Sequence, residues 1–137
     1  MKGKKNNFII IDDDPINNMV CEQIILEALP SADVQIFTRP EAAIAYMLSL
    51  NPEPGAGTTI LFLDINMPEI SGWEVLDEFN GFPSAIKKHF EIYMLSSSVD
   101  PHDKQKAAEY PVVLGYIEKP LTITQVQAIV ANAGKLA

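Results

Sequence analysis

The residues able to carry chemistry sit at the ends of apolar runs. Phe8-Ile9-Ile10-Ile11 ends in Asp12-Asp13, and Ile60-Leu61-Phe62-Leu63 ends in Asp64. Ile92-Tyr93-Met94-Leu95 ends in Ser96, and Val112 to Ile117 runs into Glu118-Lys119-Pro120. Carboxylates brought close together repel, and each resists ionising unless a cation sits among them. Oxygen ligands suit a hard divalent ion such as Mg²⁺, which takes an octahedron and keeps several waters. No His or Cys lies in these segments, which disfavours zinc. A lysine beside such a site makes an electropositive pocket for a phosphoryl group, whose transfer needs positioning and charge neutralisation more than covalent help. An aspartate can serve as the nucleophile and form an acyl phosphate. Asp64 is the best candidate, because it leaves the most apolar run and stands alone, and Ser96 would donate a hydrogen bond to a phosphoryl oxygen.

These residues meet only if the runs are strands with a shared edge. Runs of β-branched and apolar residues without alternation read as strands buried on both faces. Between them lie segments with helical signals. Pro15 opens one, with Ile16, Val20, Ile24 and Leu29 as its expected apolar stripe, widened by Met19, Cys21, Ile25 and Ala28; Pro30 stops it. Asp14 is expected to cap it. Val34 to Phe37 reads as a second strand, followed by a helix over Glu41 to Leu50 opened by Thr38 or Pro40. Asn51 to Thr59, with two prolines and two glycines, reads as a loop. Ser71 caps a helix reaching Phe79, and Ser84 to Phe90 holds one further turn. Pro101 to Glu109 is a short polar helix, and Thr122 or Thr124 starts a last one reaching about Ala133. Five β-α units of this kind require a parallel sheet with helices on both faces and right-handed crossovers. Sites in open parallel sheets form beyond the carboxyl ends of the strands.

Composition bounds the rest. The chain has 137 residues, which suits one domain, read as 8–135 after a polar stub over 1–7. Ten basic against eighteen acidic residues give a formal charge of -8, which argues against nucleic acid and membrane surfaces as partners. A single cysteine, Cys21, excludes a disulfide framework and reads as a small buried helix residue. His89 and His102 read as solvated, and Trp73 as packing along a helix near the site. With no signal peptide and no long apolar span, the expected address is the cytoplasm.

The chain resembles the receiver domain of two-component response regulators. The resemblance rests on Asp12-Asp13, on Leu63-Asp64-Ile65-Asn66-Met67-Pro68 with Gly72, on Ser96, and on Lys119-Pro120, in that order over about residues 8 to 133. It implies a flavodoxin-like (βα)5 doubly wound sheet of strand order 2-1-3-4-5. It implies Asp64 as phosphoacceptor, Asp13 as a direct Mg²⁺ ligand (Mn²⁺ an alternative), Asp12 as a ligand through water, and the Asn66 backbone carbonyl as a third protein ligand. Lys119 would pair with the phosphoryl group. Ser96 and Tyr116 would form the switch, where Ser stands in place of the commoner Thr. Asn66 and Ser98 would tune self-hydrolysis, and the Lys119-Pro120 bond would be cis. The implied partners are a histidine kinase or histidine phosphotransfer protein and a downstream protein target, with the receiver a monomer or a phosphorylation-dependent dimer. Such a domain catalyses its own aspartyl phosphorylation and dephosphorylation without being a conventional enzyme. Only Gly134 to Ala137 follow the last helix, so the expectation is a stand-alone receiver acting by docking. The competing readings are a receiver-like interaction module that works without phosphate, and an aspartyl phosphatase. The phosphatase would need an acid where Asn66 stands.

Overall fold

The computed structural model describes residues 6–52, 57–97 and 100–133. Strands and helices alternate as β1 (Asn7–Ile11), α1 (Pro15–Ala28), β2 (Asp33–Phe37), α2 (Pro40–Ser49) and β3 (Thr59–Asp64). They continue as α3 (Gly72–Asn80), α4 (Ser84–Lys87), β4 (Phe90–Ser96), α5 (Pro101–Ala107), β5 (Val113–Glu118) and α6 (Ile123–Asn132). All four strand pairings are parallel, and the order is β2-β1-β3-β4-β5. This is the flavodoxin-like doubly wound sheet. The helical turn expected up to Phe90 ends at Lys87, because Phe90 is already the buried first residue of β4. Ser98 and part of the 51–59 loop (53–56) lie outside the described residues.

The central position of β3 explains its sequence. All six of its residues are buried, so it has no solvent face to alternate toward. Its side chains divide between two cores. Ile9, Ile11, Leu61, Leu63, Ile92 and Met94 share one with residues of α2 and α3. Phe8, Ile10, Ile60, Phe62 and Leu95 share the other with residues of α1 and α6, and Phe8 and Phe62 stack at 6.1 Å. Each fully buried side chain of this size stabilises the fold by roughly 1.5–3 kcal/mol.

Helix ends follow their capping residues. Asp14 accepts from the Ile16 N–H at 2.9 Å ahead of Pro15. Ser71 with Glu74, and Thr122 with Gln125, form reciprocal capping boxes. α2 begins at Pro40 behind Arg39, which makes no side-chain cap bond.

Two expectations are corrected. The stripe of α1 does not face inward through Ile16, Met19 and Val20, which are 64%, 53% and 38% exposed. The buried residues are Asn18, Cys21 and Ile25. Apolar residues surround this helix on nearly every side, so periodicity could not orient it. His89 is half-buried and not fully solvated: its ring makes a 3.1 Å hydrogen bond with Thr59 Oγ1, and burial holds its pKa below the usual value. His102 is exposed, as expected.

Candidate functional site

Strand register assembles the site. Ile11 lies opposite Leu63, so Asp12 and Asp64 leave neighbouring strands at the same level. Asp64 lies opposite Leu95, which places Ser96 one step beyond it on the next strand. Ser96 lies opposite Glu118, and Lys119 follows. The Lys119 N–H donates to the Ser96 carbonyl at 2.7 Å, and the Lys119-Pro120 bond is cis.

Asp12, Asp13 and Asp64 each offer a carboxylate oxygen within 4.8 Å of the others. Asp12 and Asp64 are 1% and 4% exposed, whereas Asp13 faces solvent. Lys119 Nζ lies 2.8 Å from Asp12 Oδ2 and 3.1 Å from Asp64 Oδ1. One lysine against three carboxylates leaves net negative charge in a largely dry place. Burial, and then the charge of Asp12, push Asp64 up to about 6 against the opposing pull of Lys119. Burial alone would lower the lysine, but the hydrogen bond and charge of Asp12, joined by Asp64, raise it above its ordinary value. The donor set therefore fits a hard divalent cation: it is all oxygen, it carries excess negative charge, and it holds a carboxylate that resists ionising without help.

The neighbouring residues fix this arrangement. A Cβ on Gly72 would stand 2.6 Å from the Asp64 carbonyl oxygen and 3.0 Å from Ile65 Cα, both backbone atoms. Only glycine lets the start of α3 approach the end of β3 so closely. Ser96 is 1% exposed, and Tyr116 is half-buried against the core. Asn66 is exposed in the β3–α3 loop. Trp73 stacks on Tyr110 at 5.8 Å with Lys106 Nζ 5.1 Å from its ring centroid, while the Tyr110 hydroxyl donates to Asp77. Trp73 thereby ties α3 to α5 and the residues after it. Cys21 is buried in the core between β1 and α1, where burial and Asp12 push its thiol up to about 11, so it stays neutral.

Sequence reasoning missed Asn18, which is buried and donates from Nδ2 to the Asp12 carbonyl at 2.9 Å. The available signal was a polar residue one helical turn before Cys21 and two before Ile25. The direct Lys119–Asp12 pair was also missed.

The response regulator receiver domain family matches residues 8–131. The chain belongs to this family. This receiver resembles the solved response regulator receiver protein of Dyadobacter fermentans, with a TM-score of 0.83 and 27% identity over 92% of this chain and 95% of that one. A two component response regulator from Cytophaga hutchinsonii is similar at TM-score 0.81 and 32% identity, over 95% and 97%. A probable cyclic di-GMP phosphodiesterase of Vibrio cholerae is 28% identical over 116 residues, which are 85% of this receiver and 24% of that protein. The receiver spans about a quarter of the length of the curated relatives it matches (24% and 29%). Among the described residues, no helix is long and apolar enough to cross a membrane.

Proposed function

We propose that Asp64 accepts a phosphoryl group from a phosphohistidine on a histidine kinase or phosphotransfer protein, in a Mg²⁺-dependent step. The observation that carries this reading is the buried Asp64 carboxylate, grouped with Asp12 and Asp13 within 4.8 Å and bonded to Lys119 at 3.1 Å. A carboxylate oxygen of Asp64 attacks phosphorus in line with the P–N bond. That bond breaks, and its electron pair goes to the ring nitrogen. The imidazole leaves neutral because its other nitrogen carries the proton. The product is an acyl phosphate on Asp64.

The residues divide the work by position. Asp13, Asp64 and the Asn66 carbonyl, with Asp12 acting through water, would hold the cation. When bound, Mg²⁺ supplies positive charge against the phosphoryl oxygens. Lys119 meets a further phosphoryl oxygen and releases Asp12 and Asp64 to do so. Ser96 donates its hydroxyl to the phosphoryl group, and Tyr116 follows it inward. Asn66 and Ser98 set how readily water reaches the acyl phosphate. The change is read on the face of α5, β5 and α6; between α5 and β5, Lys104, Ala107, Val113, Leu114 and Tyr116 line a groove of about 290 Å³.

Mg²⁺ and a small acyl phosphate should together modify the protein once, as read by intact mass. Asp64→Asn should stay unmodified, and equal labelling of both would defeat the assignment. A protein donor should also use the α1 surface. Ile16, Met19 and Val20 form an exposed apolar strip at the site end of that helix, of the kind a partner buries. Met19→Asp is expected to slow labelling by a phosphorylated protein donor about 10-fold relative to labelling by a small acyl phosphate, on the scale of an interface residue worth roughly 1.4 kcal/mol. Equal slowing with both donors would remove α1 from the docking surface.

A further inference from the structure

Asn18 is the polar member of the buried stripe Asn18, Cys21 and Ile25 on α1, and it is 1% exposed. Its Nδ2 is spent on the Asp12 carbonyl. Its Oδ1 is, among the described residues, the only buried side-chain nitrogen or oxygen with no hydrogen-bond partner. An amide held half-satisfied in an apolar stripe is an expensive way to fill space, since an unpaired buried polar atom carries its full desolvation penalty. Leucine would complete the stripe without that penalty. The fold keeps an amide here, and the one bond it makes ends on Asp12.

That bond completes the restraint of Asp12. The Asp12 N–H donates to the Phe37 carbonyl at 3.1 Å. Its Oδ1 accepts from the Asp14 N–H at 2.9 Å, and its Oδ2 accepts from Lys119 at 2.8 Å. Asn18 holds the remaining polar atom, the carbonyl oxygen. β1 has ended at Ile11, so this carbonyl lies past the paired strand and depends on a side chain to hold it. The peptide it belongs to is also the one that leads into Asp13. A bond to that oxygen therefore sets the plane from which both acidic side chains project.

We propose that Asn18 is a positioning residue for the cation site. It fixes the Asp12–Asp13 peptide so that the two carboxylates keep the spacing from Asp64 that a divalent cation needs. The inference rests on the reading of this cluster as a Mg²⁺ site. Groups that orient metal ligands from behind cost about 10- to 100-fold in metal affinity when removed. The expected loss here lies at the lower end, because the Asp14 and Lys119 bonds to Asp12 remain.

The test is Mg²⁺ titration of the whole chain by calorimetry, beside thermal melting without metal. Asn18→Leu removes the donor and fills the stripe. It should bind Mg²⁺ about 10-fold more weakly while melting within a few degrees of the unaltered protein. A structural role alone would lower the melting temperature and leave the Mg²⁺ affinity of the folded fraction intact. Asn18→Ala serves as the second variant if the larger side chain does not fit. Unchanged Mg²⁺ affinity in either folded variant would overturn the proposal. Failure of both to fold would also overturn it, because Asn18 would then belong to the fold and not to the site. If the unaltered chain binds no Mg²⁺, the functional reading itself fails. If it binds and the variants match it, only the role of Asn18 is lost.

Discussion

Asp64→Asn is expected to abolish phosphoryl labelling and, without metal at pH 7.5, to raise the melting temperature by on the order of 5 °C. The two effects have one cause. Burial first, and then the charge of Asp12, push the Asp64 pKa from 3.8 to about 6, although Lys119 pulls the other way. The folded chain thus holds a proton on this carboxyl more tightly than the unfolded chain does. Stability tied to this group is fully present below the unfolded value and is lost as pH rises through about 6. At neutral pH the whole penalty stands. A shift of this size corresponds to at most about 3 kcal/mol, and roughly 1–2 kcal/mol is expected once the surrounding chain relaxes. Asparagine imitates the neutral acid, so its advantage should be largest at pH 7.5 and should shrink toward pH 4. Calorimetric melting of both proteins at the two pH values measures it. A variant less stable at pH 7.5 would mean that attraction to Lys119 outweighs desolvation. By the same linkage, Mg²⁺ binding is expected to weaken below about pH 6, where protons would compete with a cation for the Asp64 carboxylate.

How much of this was legible depends on which interactions act along the chain and which act across it. The runs around Ile9, Leu61 and Met94 identified their strands because a sheet covered on both faces demands unbroken apolar sequence. Parallel strands point their carboxyl ends one way, so Asp12, Asp64, Ser96 and Lys119 had to share an edge before any distance was known. Caps such as Asp14, Ser71 and Thr122 were legible because their bonds reach only two or three residues. The facing of α1 was not, because Ile16, Met19 and Val20 are as apolar as Cys21 and Ile25, and only packing against the sheet chooses between them. His89 looked solvated because its partner, Thr59, is distant in sequence and meets it across the β3–β4 pair. The Lys119–Asp12 bond was hidden for the same reason. The residues of the site were readable as a set, but which carboxylates the Lys119 ammonium holds depends on side-chain reach.

That bond makes Lys119 the residue whose loss should separate three properties that usually fall together. Lys119→Met keeps an unbranched side chain one atom shorter and removes its charge. Asp12 Oδ2 and Asp64 Oδ1 both lose their cation. Breaking a buried pair by removing one partner costs about 3–5 kcal/mol when the other charge is stranded. Here the cost is smaller, because Asp64 already sits at about 6 and loses the two influences of Lys119 that lower it. It should climb further and take up a proton near neutrality, so that one stranded charge remains instead of two. The expected loss in metal-free protein at pH 7.5 is roughly 2–3 kcal/mol, or about 10 °C in melting temperature, and less at pH 5. Measured at a pH high enough to keep Asp64 ionised, Mg²⁺ affinity should move the other way. A divalent cation held at Asp12, Asp13 and Asp64 would be repelled by the lysine charge beside them, so the variant should bind Mg²⁺ several-fold more tightly. Labelling by a small acyl phosphate should nevertheless fall by about 100-fold, because no cationic side chain then meets the phosphoryl oxygens. Weaker Mg²⁺ binding together with lower stability would show that Lys119 only holds the loop in place. Tighter binding with slower labelling is what a lysine shared between carboxylates at rest and a phosphoryl group in transfer requires.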